Sequence, residues 1–194
     1  MVGLNNAGKS TILCNLNLRM LEQARGMPNV DQLSTSPTSG VSLVEFSKDG
    51  VRWRVWDLSG QGRCRNLWAY YSGHVQAIVY VVDVTDGDRI ACSRDELQAL
   101  LVQPRVREKR LPILLFANKT DLGGGDEIGD GGEGGGKKSL SLDNVRMAFG
   151  VDGLQQHHKV KMLASSGLTG TGVAEGFVWL NDAIDRVSKG EDVD

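Results

Sequence analysis

The chain has 194 residues, 40% of them hydrophobic, with 22 Lys and Arg against 24 Asp and Glu and a net charge of -2. That length fits a single domain with one sizeable core, and the charge balance leaves no basic excess to neutralise a nucleic-acid backbone, so no nucleic-acid partner is expected. Cys14, Cys64 and Cys92 are scattered without disulfide or zinc spacing, and no apolar run reaches the roughly 20 residues of a bilayer crossing, so a cytoplasmic location is expected.

Gly3-Leu4-Asn5-Asn6-Ala7-Gly8-Lys9-Ser10 matches the phosphate-cradling pattern GxxxxGK[ST]. Such a loop hangs from a strand end, yet only Met1 and Val2 precede it. The missing strand belongs between the strand ending at Asp57 and the one ending at Asp83, so the chain alone is expected to fold poorly. The expectation is an incomplete N-terminus, with an apolar strand and a membrane-binding helix encoded upstream. After the loop, Ile12, Leu13, Leu16 and Leu21 recur at helical spacing. Residues 22 to 40 lose that period and gather Gly, Pro, Ser and Thr, which reads as a long loop.

"VSLVEF" and "VRWRVWDL" flank "SKDG", the signal of an antiparallel hairpin. Ala77 to Asp83 and Ile113 to Ala117 are apolar on both faces, which suits interior parallel strands. "SRDELQALL" reads as a helix between them. A weaker strand spans Val160 to Leu163, and Phe177, Leu180, Ile184 and Val187 form the apolar stripe of a closing helix. Strands alternating with helices predict an α/β fold, a mostly parallel sheet with an antiparallel edge hairpin and helices on both faces. Residues 123 to 138, "GGGDEIGDGGEGGGKK", bury too little apolar area to offset ordering entropy and are expected to be a disordered insertion in the single domain 1–194.

Three polar elements stand at the predicted carboxyl ends of strands, where α/β folds bind ligands. In the first, the amides of Asn5, Asn6, Ala7, Gly8, Lys9 and Ser10 would face phosphate oxygens. The Lys9 ammonium would reach the β and γ phosphates, and the Ser10 hydroxyl would ligate Mg²⁺. The plain alternative is a Gly-rich turn before an amphipathic helix. In the second, "WDLSGQ", Asp57 would hold a metal-bound water and the Gly60 amide would meet a γ-phosphate; the plain alternative is an Asp turn. In the third, Asn118-Lys119-Thr120-Asp121, a buried Asp121 carboxylate would accept from N1 and N2 of guanine, donors that adenine lacks. A polar strand exit is its plain alternative. Because all three occur in order and at strand ends, the plain readings fail together.

Together these motifs resemble the small GTPases, P-loop NTPases with a small G domain. "GLNNAGKST", "PTSG", "WDLSGQ" and "NKTD" are similar to the ADP-ribosylation-factor and factor-like branch, with Trp56 the most telling mark. "SGQGRCRNLW" is similar to the subgroup that recruits the Bardet-Biedl coat complex to ciliary membranes. The resemblance implies that Thr38 closes on Mg²⁺ and the γ-phosphate, that Gln61 orients the attacking water, that Thr11 touches the α-phosphate, and that Ala164 and Ser165 back the guanine. It implies a monomeric GTP/GDP switch with Mg²⁺, a coat-type effector, an exchange factor and a GTPase-activating protein, peripheral at membranes near the cilium base. Asn5 stands where this branch usually has Asp, which implies slow intrinsic hydrolysis. Val41 replaces the usual Phe near Trp56 and Tyr71, and the myristoylation pattern is missing.

Two rivals stand beside this reading. A P-loop kinase or ATPase gives "NKTD" no role, and a scaffold that has lost nucleotide would not need Lys9, Ser10, Thr38, Asp57, Gln61, Asn118 and Asp121 together. His74, His157 and His158 lack ligand or nucleophile spacing, and the adjacent pair is expected to be solvated. Trp53, Trp68, Tyr70 and Tyr71 are expected to pack.

Overall fold

The computed structural model describes residues 1–25, 38–48, 50–122 and 139–191. In chain order the elements are α1 (Lys9–Arg25), β1 (Val41–Lys48), β2 (Val51–Leu58), α2 (Asn66–Ser72), β3 (Ile78–Asp83), α3 (Ile90–Leu101), α4 (Pro104–Lys109), β4 (Ile113–Asn118), α5 (Leu142–Phe149), α6 (Val151–Leu154), β5 (Val160–Ser165) and α7 (Val173–Ser188). Helix α1 runs on to Arg25, past the expected boundary at 22, and residues 26–37 of the expected loop lie outside the described residues, as does the whole Gly-rich stretch 123–138.

Strands β3, β4 and β5 form a parallel sheet in that order, with Asp83, Asn118 and Ser165 side by side at its carboxyl end. β1 and β2 form the predicted antiparallel hairpin, in which Lys48 pairs with Val51 and Gly50 turns at φ 79°. Between hairpin and sheet stands the short segment before the phosphate loop. The Val2 amide donates to the Val79 carbonyl and the Val81 amide to the Val2 carbonyl, each at 2.9 Å, while the Leu58 amide donates to the Met1 carbonyl at 3.1 Å. Val2 thus bridges Tyr80 in parallel, in the place the sequence assigns to the central strand.

The core follows from strand alternation. On one face Ile78, Tyr80, Val82, Ile113 and Leu115 pack with Leu97 and Leu101 of α3 and Val145 and Phe149 of α5. On the other Val79, Val81, Leu114 and Phe116 meet Ile12, Leu13 and Leu16 of α1 and Phe177 and Leu180 of α7. β3 and β4 are buried throughout, as their unbroken apolar runs require. Ile184 and Val187 lie half-buried along the α7 stripe. Ser141 caps α5 by accepting from the Asn144 amide at 3.2 Å, and Gly150 ends that helix in the left-handed conformation.

Two expectations are corrected here. His158, on the loop leading into β5, is buried rather than solvated and has the Leu111 backbone beside it; burial lowers its pKa, and its Nδ1 has no hydrogen-bond partner among the described residues. His157 beside it is exposed, as expected. Of the four aromatics assigned to packing, Trp68 is fully buried, but Tyr70 is 65% exposed because the helix α2 turns that face outward.

Candidate functional site

The phosphate loop connects the Val2 bridge to the N-terminus of α1, so its amides and the positive helix end face the same space. Asn5, Asn6, Gly8, Lys9, Ser10, Thr11, Thr38, Ser59, Gly60 and Gln61 line a cleft of about 330 Å³ there. Asn6 at φ 65° and Gly8 at φ 93° both take the left-handed region. Gly8 is required on a second count, since a Cβ there would overlap the Asn118 side-chain amide.

Lys9 is the first residue of α1, and its side chain folds back so that Nζ donates to the carbonyls of Gly3 and Leu4, at 2.9 Å each. Burial lowers its pKa to about 8, partly opposed by the Asp57 carboxylate and reinforced by Arg65. A buried ammonium whose charge costs this much is prepared to gain from anionic oxygens.

Asp57 sits on β2 beside this lysine and is only 3% exposed. Its Oδ2 accepts from the hydroxyl of Ser10 and from that of Thr38 at 3.3 Å, and the two hydroxyls lie 2.9 Å apart. Oδ1 is buried with no partner among the described residues. An all-oxygen set with one unsatisfied carboxylate oxygen has the chemistry a hard divalent cation such as Mg²⁺ takes, so these residues fit that ion. No cluster of three or more His, Cys, Asp or Glu among the described residues offers another metal site.

Gly60 meets the phosphate loop at backbone distance. Its carbonyl accepts from the Asn5 amide at 3.2 Å and from Arg65 Nε at 3.1 Å, and a Cβ would overlap Asn5 N and the Leu4 carbonyl carbon. Gln61 lines the cleft with its Oε1 accepting from Arg63 Nε at 3.2 Å. Arg65 also bonds Glu96 of α3, and Trp68 Nε1 donates to the Ser59 carbonyl at 3.0 Å, so the segment after Asp57 is anchored from several sides.

At the carboxyl end of β4 Asn118 is 1% exposed and fully engaged within the protein. Its Nδ2 donates to the Ala7 carbonyl at 2.7 Å, and its Oδ1 accepts from the Gly167 amide at 2.9 Å and the Ser165 hydroxyl at 3.3 Å. It ties three loops together. Lys119 turns at φ 71° and pairs with Asp83 at 2.7 Å. Asp121 is exposed, not buried as expected, because it lies on the turn Thr120–Leu122 beyond the strand end. Ala164 is half-buried and Ser165 fully buried, both on β5, with the Thr120 hydroxyl donating to the Ser165 carbonyl at 3.0 Å.

The structure therefore brings together the phosphate loop, Thr38, Asp57, Gly60 and Gln61 at one cleft, with Asn118, Lys119 and Ser165 joined to it through Ala7. Sequence reasoning missed Asp83 and Arg89, neither of which shares a motif with its partner, and the reach of Arg65 to Glu96. Arg89 donates to Asn5 Oδ1 at 3.1 Å from 84 positions away. Val41, where an aromatic is usual, pairs with Leu58, and Trp56 packs on Tyr71 with ring centroids 5.1 Å apart and against the core cluster.

A phosphate loop on α1, a carboxylate ending β2 and an NKxD turn after β4 define a P-loop GTPase by fold and site. Comparison with known proteins narrows the class: residues 1–184 match the family described as "Arf: ADP-ribosylation factor family". ADP-ribosylation factor-like protein 6 of Danio rerio is 33% identical over 183 residues, covering 94% of this chain and 86% of that protein. ADP-ribosylation factor 3 of Arabidopsis thaliana is 30% identical over 189 residues, covering 95% and 86%. Among solved structures, the Arl6 BBS3 small GTPase from Trypanosoma brucei with bound nucleotide analogue GppNp superposes with a TM-score of 0.75 at 30% identity, covering 96% of this chain and 95% of that one. The chain belongs to the ADP-ribosylation factor family and is a small GTPase similar to the factor-like protein 6 members.

Proposed function

We propose that the chain is a Mg²⁺-dependent guanine-nucleotide switch whose GTP state recruits a coat-type effector at membranes near the cilium base. The observation that carries the switch is the convergence of Ser10, Thr38 and Asp57 Oδ2 beside an unpartnered Asp57 Oδ1, at the mouth of a cleft built by a phosphate loop. The similarity to factor-like protein 6, together with "SGQGRCRNLW", supports the ciliary reading.

In this reading the loop amides and Lys9 bind the phosphates. Ser10, Thr38 and Asp57 would hold Mg²⁺, which would supply charge neutralisation at the phosphates. Thr38 joins the segment before β1 to the nucleotide, and Gly60 joins the segment after β2, so hydrolysis releases both segments together. Gln61 lies at the cleft to orient water, and Asp121 reads the guanine donors while Ala164 and Ser165 back the ring. Turnover is slow because Arg63 occupies Gln61 Oε1 and no arginine projects into the cleft among the described residues. No described helix is long and apolar enough to cross a membrane, so attachment is peripheral in this reading. An exchange factor and a GTPase-activating protein complete the cycle.

The test is extraction and chromatography of nucleotide from the purified protein, followed by titration with labelled GTP, XTP and ATP. GDP or GTP should co-purify, and Asp121→Asn should shift preference from GTP toward XTP. Equal affinity for ATP and GTP in the parent would overturn guanine specificity. In pull-downs, Gln61→Leu should retain a coat-type effector that Ser10→Asn does not; equal retention would favour a nucleotide-independent scaffold.

A further inference from the structure

We propose that Arg89 is a positioning residue of the phosphate loop, clamping Asn5 from the turn before helix α3 and so setting how long the nucleotide stays bound. The inference rests on the nucleotide-switch reading above. Arg89 lies in the turn Gly87–Arg89 that leads into α3. Its guanidinium is anchored first by Asp86, with Nε donating to Oδ2 at 2.6 Å and Nη2 bonding the same oxygen. From that anchored position Nη1 donates to Asn5 Oδ1 at 3.1 Å, and Nη1 and Nη2 lie 3.5 and 3.4 Å from the Asn5 carbonyl oxygen. A planar fork held on one side by a carboxylate loses little further freedom when its other edge takes a second partner.

Asn5 is the residue on which this matters. It lines the cleft, its amide donates to the Gly60 carbonyl at 3.2 Å, and the chain turns left-handed immediately after it at Asn6. The first turn of the cradle is thus held from one side by Gly60 and from the other by Arg89. Gly60 belongs to a segment that rearranges with nucleotide state in the proposed cycle, whereas Arg89 stands on the buried frame of β3 and α3. When Gly60 departs, Arg89 is the tie that keeps Asn5 in register with the phosphates. This predicts that Arg89 acts most strongly on the GDP form. An aspartate at position 5, usual in this branch, would convert the amide contact to an ion pair and tighten the same clamp.

Release of a fluorescent GDP analogue from the full chain in the presence of Mg²⁺ tests this, with Arg89→Ala, Asn5→Asp and the double variant beside the parent. Arg89→Ala should speed release about 3- to 10-fold, the loss of roughly one charge-assisted hydrogen bond at a half-exposed site. Asn5→Asp should slow release in the parent and have no such effect once Arg89 is gone, a non-additivity that general loosening of the fold would not produce. If Arg89→Ala fails to fold, Arg89→Lys, which keeps the charge without the fork, is read in the same way with a smaller factor. Equal release from parent and Arg89 variants, or additive effects of the two substitutions, overturns the clamp while leaving the switch reading intact. A parent that binds no GDP analogue overturns both.

Discussion

Asn118 and Ala7 are joined across 111 residues of chain by a 2.7 Å hydrogen bond from the buried side-chain amide to the phosphate-loop carbonyl. With the Gly167 amide on its other end, this side chain makes the end of β4 the point to which two loops on either side are tied. The loop that would hold phosphate and the loop that would hold base are therefore mechanically one unit.

Asn118→Ala leaves the Ala7 carbonyl and the Gly167 amide without their buried partner. At about 1–3 kcal/mol for each orphaned group, the variant should lose about 2–6 kcal/mol of stability. Urea unfolding with Trp fluorescence measures it. Asn118→Asp should fare no better, because its second oxygen would face the Ala7 carbonyl. A loss under about 1 kcal/mol would show that the loops hold without this tie.

Lys9 gives a pH signature. Its pKa of about 8, with only protein around it, lies below the ordinary 10.5, so the unfolded chain binds more protons than the folded one between those values. Stability of the nucleotide-free protein should therefore rise as pH climbs from 8 toward 10.5, as the cost of burying the charge disappears. Phosphate oxygens favour the charged form, so nucleotide binding above pH 8 should take up a proton and weaken as pH rises. Calorimetric titration in two buffers of different ionisation heat reads the uptake directly. Lys9→Met should abolish both effects, and a proton count of zero at pH 9 in the parent would contradict the assignment.

Gly60→Ala should separate binding from turnover. The added methyl would overlap Asn5 N and the Leu4 carbonyl carbon, so the segment after Asp57 must stand off from the loop while the loop itself remains. Single-turnover hydrolysis should fall about tenfold or more, with GDP affinity within about threefold of the parent. Trp68 donates to the Ser59 carbonyl, so its fluorescence should report the displacement on GTP loading. Unchanged hydrolysis would mean that this contact is not needed for the chemistry.

Shortening residues 123–138 to a tight turn should leave GTP affinity within about threefold. Closing a loop of different length changes free energy only logarithmically, and every site residue lies outside the segment. Binding of labelled GTP to the shortened chain measures this. A larger loss would place the segment against the base beside Asp121.

Local order fixed by short-range chemistry was legible in the sequence. The spacing Gly3, Gly8, Lys9, Ser10, the unbroken apolar runs of β3 and β4, the hairpin turn at Gly50 and the placing of Asp57 and Asn118 at strand ends each follow from what a few neighbouring residues can do with backbone and water. What the tertiary structure decided are relations between residues far apart in the chain. The Asn118 amide is spent on Ala7 and Gly167, Asp121 stands exposed on its turn, His158 is buried, and Arg89 reaches Asn5. None of these has a period or a motif. Each depends on which elements the sheet order brings together, and a side chain's partners are set by that packing rather than by its neighbours in sequence.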